Sequence, residues 1–304
     1  MIDCDILIAG SGVAGLSAAL TAGRLGRSTV VVTGAVPGGQ LLSINRIDGY
    51  PGFPDGVPGY DLCPIAQEQA TAAGAVLKMT ELVDLERDED AWRGRLGDGS
   101  AIQAHAVIVA TGARLKKLGV PGEERLFGKG VSHCASCDAP LLKGKSVVVV
   151  GGGDSALQEA LTLAEQASRV VVVHRGSALT AQKAYRDAVA AQSRIELRGE
   201  SAVAEILGDT SVKGVRLADG MEIGAAGVFV YVGLEPDGML APISVRDNAG
   251  GILTDASMRT TLPGLAAAGA VHTGWPGRAA AAVGEGAAAA IAIDRWLCDK
   301  HWRE

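Results

Sequence analysis

The chain has 304 residues, of which 48% are hydrophobic and 20% are charged, so it is long enough for two domains with buried cores. Its net charge of -6 argues against nucleic acid and an acidic membrane surface as partners, because both attract a basic patch. Aromatic residues make up only 4%, and the apolar residues are mostly Ala, Val, Leu and Ile, which suits parallel strands packed under helices.

We predict neither a secretory signal nor a membrane-spanning helix. Asp3 and Asp5 lie where a signal peptide has basic residues. Residues 279–293 form the longest Ala-rich stretch, which is interrupted by Gly284-Glu285-Gly286. We therefore expect a cytoplasmic protein, a setting in which closely spaced cysteines are more often catalytic or metal-binding than structural.

The first predicted unit is a strand, a glycine-rich turn, a helix and a second strand. An apolar run ends in Gly10-x-Gly12-x-x-Gly15, and Thr29–Val32 forms the next apolar run. In this motif the first glycine permits a tight turn, the second lets the backbone approach a pyrophosphate, and the third lets helix and strand pack closely. The alternative is an ordinary glycine-rich turn, and Thr33 replaces the acid that often ends the second strand. The position between strand and helix favours a dinucleotide site.

Two linkers divide the chain. The buried-type strand that ends in Ala110-Thr111-Gly112 is followed by a linker at residues 114–121, and a second linker lies at 234–242. The Gly- and Pro-rich stretch Pro37–Pro58 predicts an extended loop rather than a helix. A second domain inserted into the first explains this order. We predict an α/β fold with two Rossmann-like dinucleotide-binding domains, which comprise residues 1–114 with 243–304, and residues 115–242.

The inserted domain carries a closely spaced cysteine pair in Cys134-Ala135-Ser136-Cys137-Asp138. Two cysteines three positions apart can form a redox-cycling disulfide. In the reduced pair a thiolate is the nucleophile, and a nearby carboxylate can carry the thiol proton. The alternatives are a half zinc site, with His133 as a third ligand, and a pair of buried structural cysteines. No second Cys or His cluster has metal-ligand spacing, and Asp138 disfavours burial.

A second glycine-rich turn follows the cysteine pair. The apolar run Ser146–Val150 ends in Gly151-x-Gly153-x-x-Ala156, a helix pattern follows, and Val170–Val173 forms the returning strand before His174-Arg175. An acid at the end of that strand would hold a free ribose 2′-hydroxyl, whereas arginines would hold a 2′-phosphate. Arg175 is either such a phosphate ligand or a solvated charge at the end of the strand.

The C-terminal part predicts a strand-like segment, Leu265–Val271, and a long Ala-rich helix that ends near Cys298. The other cysteines and the remaining histidines have no partner in the sequence. We expect structural or solvent-facing roles for Cys4, Cys63, Cys298, His105, His272 and His301.

These motifs together resemble the low-molecular-weight thioredoxin reductase family over nearly the whole chain. The cysteine pair precedes the second glycine-rich turn, whereas enzymes similar to glutathione reductase carry theirs in the first domain. The segments that carry the resemblance are Gly10–Gly15, Gly38–Leu41, Tyr50–Phe53, Ala110–Ala113, Cys134–Asp138, Gly151–Ala156 and Gly227–Gly233.

The resemblance implies a homodimer with FAD on the first domain and NADH or NADPH on the second. It places FAD at Gly10, Gly12, Gly15, Gly39, Gln40, Thr111, Gly112, Gly269, Arg278 and Ala279. It places the nicotinamide nucleotide at Gly151, Gly153, Ser155, Ala156, His174 and Arg175.

The resemblance also implies an electron path from NAD(P)H through FAD and the Cys134–Cys137 disulfide to a partner disulfide, in thioredoxin or a specialised dithiol. Cys137 would lie nearest the flavin, Asp138 would act as acid and base, and Cys134 would attack the partner. Rotation of one domain about the two linkers would let the disulfide and the nicotinamide take turns at the flavin.

The sequence departs from the family pattern at several of these positions. Ala270 replaces an acid that binds the flavin's ribityl chain, which predicts about 10- to 100-fold weaker FAD binding unless another group compensates. The family's Arg-Gln-Ala reads Arg278-Ala279-Ala280. Gly176 and Thr180 replace two arginines, so the motif does not specify NADPH. The aromatic loop that docks thioredoxin reads Ala139-Pro140-Leu141-Leu142, which leaves a partner other than thioredoxin open.

Three hypotheses follow. The first is a nicotinamide-dependent disulfide reductase, favoured by the intact Cys134–Asp138 motif beside two dinucleotide turns. The second is an FAD-dependent dithiol oxidase that uses oxygen, and the third is a degenerate, non-catalytic binding partner. The cysteine pair and Asp138 weigh against the third, because they have little structural use.

Overall fold

The structure is a computed structural model that describes residues 3–88 and 91–302. The strands and helices of the first half of the chain are β1 (Cys4–Ala9), α1 (Val13–Arg24), β2 (Thr29–Val32), α2 (Gly59–Ala72), β3 (Val76–Lys78), β4 (Leu82–Asp88), β5 (Ala91–Leu96), β6 (Ala101–Val109), β7 (Ala113–Leu115), α3 (Glu123–Leu126), β8 (Val131–Ser132), α4 (Ala135–Asp138) and β9 (Ser146–Val150). Those of the second half are α5 (Asp154–Ala164), β10 (Arg169–Val173), α6 (Lys183–Ala191), β11 (Ile195–Arg198), β12 (Val203–Gly208), β13 (Val212–Leu217), β14 (Glu222–Gly224), β15 (Gly227–Val230), β16 (Leu234–Pro236), β17 (Leu265–Ala267) and α7 (Ala279–Asp299). Within the described residues, no helix is long and apolar enough to cross a membrane.

The chain divides into two compact units. Unit 1 comprises residues 1–114 and 235–304, and unit 2 comprises residues 115–234. The return crossing lies eight residues before the boundary predicted at 242–243, within the linker predicted at 234–242. Residues 235–242 belong to unit 1 because Asp237 donates its amide to Gly112 O at 2.9 Å and pairs through its carboxylate with Arg114 at 2.8 Å. Strands β7 and β16, which contain the two crossings, pair with each other.

Unit 1 is built on a seven-stranded sheet in the order β3-β2-β1-β6-β5-β4, with β17 beside the carboxyl-terminal part of β6. Strands β1, β2, β3, β6 and β17 run parallel, and β4 and β5 add an antiparallel extension. Neighbouring residues of β1 face opposite sides: Ile6 and Ile8 pack under α1, α2 and α7, whereas Leu7 packs with Trp92. Burial on both faces explains why β1 is apolar throughout rather than alternating.

Unit 2 has an all-parallel five-stranded sheet in the order β11-β10-β9-β15-β8 and a separate antiparallel sheet of β12, β13 and β14. In β9, Val147 and Val149 pack against the helices, whereas Val148 and Val150 pack against the three-stranded sheet. The run of valines therefore reflects a strand buried on both faces. The α/β class with two Rossmann-like domains is confirmed.

Two sequence predictions in unit 1 need correction. The strand predicted at Leu265–Val271 ends at Ala267, because only Leu265–Ala267 pair with β6. The loop predicted over Pro37–Pro58 contains a turn of 3₁₀ helix at Gly39–Ser43. Both differences come from tertiary packing, which decides how far a short apolar or Gly-rich segment keeps regular hydrogen bonds.

The contact between α1 and α7 depends on a glycine. A Cβ built on Gly286 would lie 2.1 Å from Ala14 O, so only glycine lets the two helices approach this closely. Gly284, two residues earlier on α7, is exposed, and a Cβ there would have nothing within 4 Å.

This contrast predicts opposite effects of the same substitution within one helix. Gly284→Ala should raise the free energy of unfolding by about 1 kcal/mol, because alanine loses less backbone entropy in a helix interior. Gly286→Ala should lower it, because the new methyl group overlaps backbone. Urea denaturation followed by circular dichroism measures both, and a destabilised Gly284→Ala would contradict the packing described for α7.

Candidate functional site

The glycine-rich turn of unit 1 is held in place by close backbone packing. Gly10 has φ +107°, and a Cβ there would lie 2.3 Å from Ala110 O. A Cβ on Gly15 would lie 2.0 Å from Gly10 O. These two glycines therefore let β1, the start of α1 and the end of β6 come together, as the sequence motif predicts.

Gly12 differs because a Cβ there would meet nothing within 4 Å. Its side faces open space at the beginning of α1, where no side chain caps the helix and the first turn holds no acid. Uncapped amides at a helix N-terminus attract an anion. The turn therefore fits the pyrophosphate of a dinucleotide such as FAD, which would lie in the open space beside Gly12.

Two more predicted segments of unit 1 lie around this turn. Gly39 has φ +63°, and a Cβ on it would lie 3.2 Å from Gly12 Cα. The Gln40 side-chain amide donates to Ala113 O. Thr111 Oγ1 donates to Asp237 O at 2.6 Å, and Asp237 lies outside every motif noted in the sequence.

The loop that contains Gly269 and Ala270 is fastened by an acid from α7. Glu285 Oε2 accepts the Gly269 amide at 2.9 Å, and Glu285 Oε1 lies 3.3 Å from His272 Nε2. His272 Nδ1 in turn lies 2.8 Å from Thr273 O. Both ring nitrogens face acceptors, which favours the protonated ring.

The His272–Glu285 pair corrects the expectation that His272 has no partner. The two side chains are 8% and 13% exposed, and they lie thirteen positions apart. The Glu285 carboxylate beside the ring raises the pKa of His272, against the opposing effect of burial. The signal in the sequence was a glutamate that interrupts the apolar first half of α7.

This pair predicts a pH-dependent stability. Because the pKa of His272 is raised on folding, the pair stabilises the fold fully below the unfolded value of about 6.5, and the contribution is lost as pH rises through the folded pKa. His272→Gln should therefore lower the unfolding temperature more at pH 6 than at pH 9. His301→Gln is the control, because that ring is 82% exposed. An equal loss for His272→Gln at both pH values would contradict a charged pair.

Arg278 and Ala279 lie at the beginning of α7. Arg278 is the residue before the helix, and its exposed guanidinium donates to Gly277 O at 3.0 Å. The first turn of α7, like that of α1, holds no acid and has no side-chain cap.

In unit 2, Cys134 and Cys137 form a disulfide with Cα atoms 5.4 Å apart. Cys134 immediately precedes the one-turn helix α4 and Cys137 lies within it, and the Cys134 sulfur accepts the Cys137 amide at 3.3 Å. Ser132 Oγ accepts the Cys134 amide at 3.0 Å. Asp138 ends the same turn, so a carboxylate lies one residue from Cys137. Cys137 is exposed and Cys134 half-buried.

A carboxylate that the sequence analysis did not single out binds the first backbone amide of α4. Glu159 of α5 accepts the Ala135 amide at 3.0 Å, and burial raises the pKa of Glu159. The buried Tyr231 hydroxyl lies beside it, and burial together with the Glu159 charge raises the pKa of Tyr231. Glu159 therefore fixes the first amide of the helix that carries the disulfide.

The other cysteines are of two kinds. Burial raises the pKa of Cys4 to about 12 and also raises that of Cys63, so both are inert thiols in the core. Cys298 is exposed, and Arg27 Nη2 donates to its sulfur at 3.0 Å. Within residues 3–88 and 91–302, no three His, Cys, Asp or Glu side chains form a group that could hold a metal ion.

The second glycine-rich turn repeats the geometry of the first. Gly151 has φ +140°, and a Cβ there would lie 2.2 Å from Tyr231 O. A Cβ on Gly153 would meet only Thr180 Oγ1, at 3.7 Å, and α5 begins without a side-chain cap. The helix starts at Asp154-Ser155 and buries Ala156 against the sheet. This turn also fits a dinucleotide.

The predicted ribose-binding segment follows β10. His174 is buried with its amide bound to Arg198 O at 2.9 Å, whereas Arg175 is exposed. Thr180, which stands where the family has an arginine, turns its hydroxyl to Gly152 O at 3.2 Å. Arg175 is the only arginine or lysine in the segment 174–180.

The chain matches the family described as pyridine nucleotide-disulphide oxidoreductase over residues 4–286. It is 37% identical over 253 residues to a thioredoxin reductase of Treponema pallidum, covering 82% of each chain. It is 36% identical over 303 residues to a thioredoxin reductase of Mycolicibacterium smegmatis, covering 97% of each.

A solved structure shows the same fold. The crystal structure of Lactococcus lactis thioredoxin reductase superposes with a TM-score of 0.94 at 32% identity, covering 98% of this chain and all of that one. The sequence matches, the Cys134–Cys137 disulfide and the fold all indicate the same family. The chain therefore belongs to the thioredoxin reductases within the pyridine nucleotide-disulphide oxidoreductases, and it is an FAD-dependent disulfide oxidoreductase that uses NAD(P)H.

Proposed function

We propose that the protein reduces a disulfide in thioredoxin or in a specialised dithiol partner, and that Cys134, Cys137 and Asp138 carry this reaction. The observation that carries the proposal is the Cys134–Cys137 disulfide, closed on a single helical turn that ends in a carboxylate. Each unit also contains a glycine-rich turn whose backbone fits a dinucleotide.

The residues have the following roles. Gly10, Gly12 and Gly15 would hold the FAD pyrophosphate, with Gly39, Gln40, Thr111, Gly112, Gly269, Arg278 and Ala279 around the rest of the cofactor. Gly151, Gly153, Ser155, Ala156, His174 and Arg175 would hold NADH or NADPH. When bound, FAD supplies a two-electron relay between the nicotinamide and the cysteine pair.

The thiol chemistry belongs to the chain itself. In the reduced pair the Cys134 thiolate attacks one sulfur of the partner disulfide, forms a mixed disulfide and releases the other sulfur as a thiolate. The Cys137 thiolate then attacks the Cys134 sulfur, which closes the enzyme disulfide and releases the second partner thiolate. Asp138 takes the proton from Cys137 before this attack and gives it to the leaving sulfur. Reduction of the pair restores both thiols.

Release of thiols from the partner tests this reaction. We expect thiol formation from oxidised thioredoxin, or from a small disulfide, only when the protein and NADH or NADPH are both present. Loss of thiol formation on omitting the nucleotide establishes the direction of electron flow. No thiol formation from any disulfide with either nucleotide would contradict the proposal.

A dithiol oxidase is the second candidate, because the segment 174–180 keeps one basic residue where a nicotinamide nucleotide phosphate would be held. Such an enzyme would take electrons from a dithiol and reduce oxygen. Hydrogen peroxide formed from dithiothreitol and air, without nucleotide, would favour it, and no peroxide would exclude it.

We further propose a homodimer in the cytoplasm. Half-exposed apolar side chains on α2, Tyr60 and Ile65, support self-association, since apolar surface favours burial against a second copy. Sedimentation at micromolar concentration tests the dimer, and a mass of one chain would contradict it.

A further inference from the structure

Glu200 has an unusual backbone conformation beside the proposed ribose site. Its φ is +51°, in the left-handed region that glycine and asparagine adopt readily and that other residues enter at a cost. Such outliers cluster at functional sites, because the surrounding structure must hold them there.

The topology places Glu200 at the carboxyl edge of the sheet of unit 2. Strand β11 runs parallel to β10, with Val173 opposite Arg198, so the residues that follow the two strands emerge side by side. Two backbone hydrogen bonds continue the pairing past the strands: Glu200 N to Gly176 O and Ser201 N to His174 O, each at 3.1 Å. Glu200 is thereby fixed next to the segment that follows β10.

Neighbouring glycines make room for this approach. A Cβ on Gly199 would lie 3.1 Å from the His174 ring, and Gly176, whose carbonyl accepts the Glu200 amide, has no side chain. The Glu200 side chain is exposed, and its carboxylate has no ion-pair or hydrogen-bond partner among residues 3–88 and 91–302.

Few basic side chains at this edge of the sheet are available to bind a 2′-phosphate. Arg198 pairs with Glu196 at 3.1 Å, and Thr180 is turned to Gly152 O. Arg175 remains as the basic side chain of the segment, one residue from Gly176, where Glu200 is attached.

We infer that Glu200 selects NADH over NADPH: its carboxylate accepts the 2′-hydroxyl of the adenosine ribose and repels a 2′-phosphate. In folds of this type an acid at the end of the second strand binds that hydroxyl. Here the acid comes from the end of the next strand, which is why the sequence around β10 holds none. The inference rests on the proposed binding of a nicotinamide nucleotide to unit 2.

The test is the binding of NAD⁺ and NADP⁺ to the FAD-loaded protein by isothermal titration calorimetry, which needs no turnover. The wild type should bind NAD⁺ more tightly. Glu200→Gln should lower the ratio of the two affinities by about 10- to 100-fold, the effect of one charge-assisted hydrogen bond. Glu200→Asn should act alike, although asparagine relieves the backbone strain, because the charge is what discriminates.

Glu165→Gln is the matched control, since it removes one exposed charge at the far end of α5, at the opposite edge of the sheet. An unchanged ratio in both Glu200 variants, or tighter binding of NADP⁺ by the wild type, would overturn the role of Glu200 while leaving the nucleotide site in place. If neither nucleotide binds to the wild type, the proposed function of unit 2 fails, and the inference fails with it.

Discussion

Cys137→Ser should reduce partner-disulfide reduction by on the order of 10³-fold or more, since the variant lacks the thiolate that resolves the mixed disulfide. The free Cys134 thiolate can still attack the partner disulfide, but serine at position 137 cannot displace the partner from the resulting mixed disulfide. A covalent complex between the protein and its partner should therefore accumulate when the reduced variant meets oxidised thioredoxin. Non-reducing gel electrophoresis and thiol release measure the two effects.

Cys298→Ser is the matched control. Cys298 is an exposed thiol outside the disulfide, so its loss should leave the rate of thiol release unchanged. Full activity of Cys137→Ser would show that the Cys134–Cys137 pair is not on the electron path. Cys134→Ser should be equally inactive but should form no covalent complex, which separates the attacking cysteine from the resolving one.

Gly12→Ala should lower FAD affinity by about 10- to 100-fold without unfolding the protein. The backbone at Gly12, with φ -65° and ψ 174°, suits alanine, and a Cβ there touches nothing within 4 Å. The new methyl group instead projects into the space over the beginning of α1. It would keep a pyrophosphate from the helix amides, and the loss of one charge-assisted hydrogen bond accounts for the expected magnitude.

Titration of the apoprotein with FAD measures this affinity directly, and circular dichroism checks the fold. Gly97→Ala, in the exposed turn after β5, is the control: its Cβ would make only ordinary contacts from 3.5 Å outward. Unchanged FAD affinity in Gly12→Ala would show that FAD does not bind at this turn. Gly15→Ala should instead disturb the fold itself, because its Cβ would lie 2.0 Å from Gly10 O.

The sequence was most informative where local pattern and chemistry coincide. The glycines of both turns, the strands beside them and the cysteine pair follow from short-range spacing, since a βαβ unit is built from consecutive residues. The third hypothesis, a degenerate binding partner, loses weight because Cys134 and Cys137 are closed as a disulfide on a turn supported by Glu159.

Other features depend on contacts between distant segments, which a single sequence does not reveal. Glu159 meets Ala135 from a helix that begins nineteen residues later, and Glu285 meets Gly269 across a loop. Glu200 reaches the ribose segment only because β11 lies beside β10. Ala270 stands where the resemblance predicts an acid, and Glu285 of α7 accepts the amide of the preceding residue, Gly269.

An anaerobic titration of the purified protein with NADH tests the central claim most directly, with the flavin absorbance band and the count of free thiols followed together. We expect the band to bleach and two further thiols to appear per chain as the Cys134–Cys137 disulfide opens. A yellow protein that neither NADH nor NADPH bleaches, or one whose thiol count stays constant, would contradict a nicotinamide-dependent disulfide reductase.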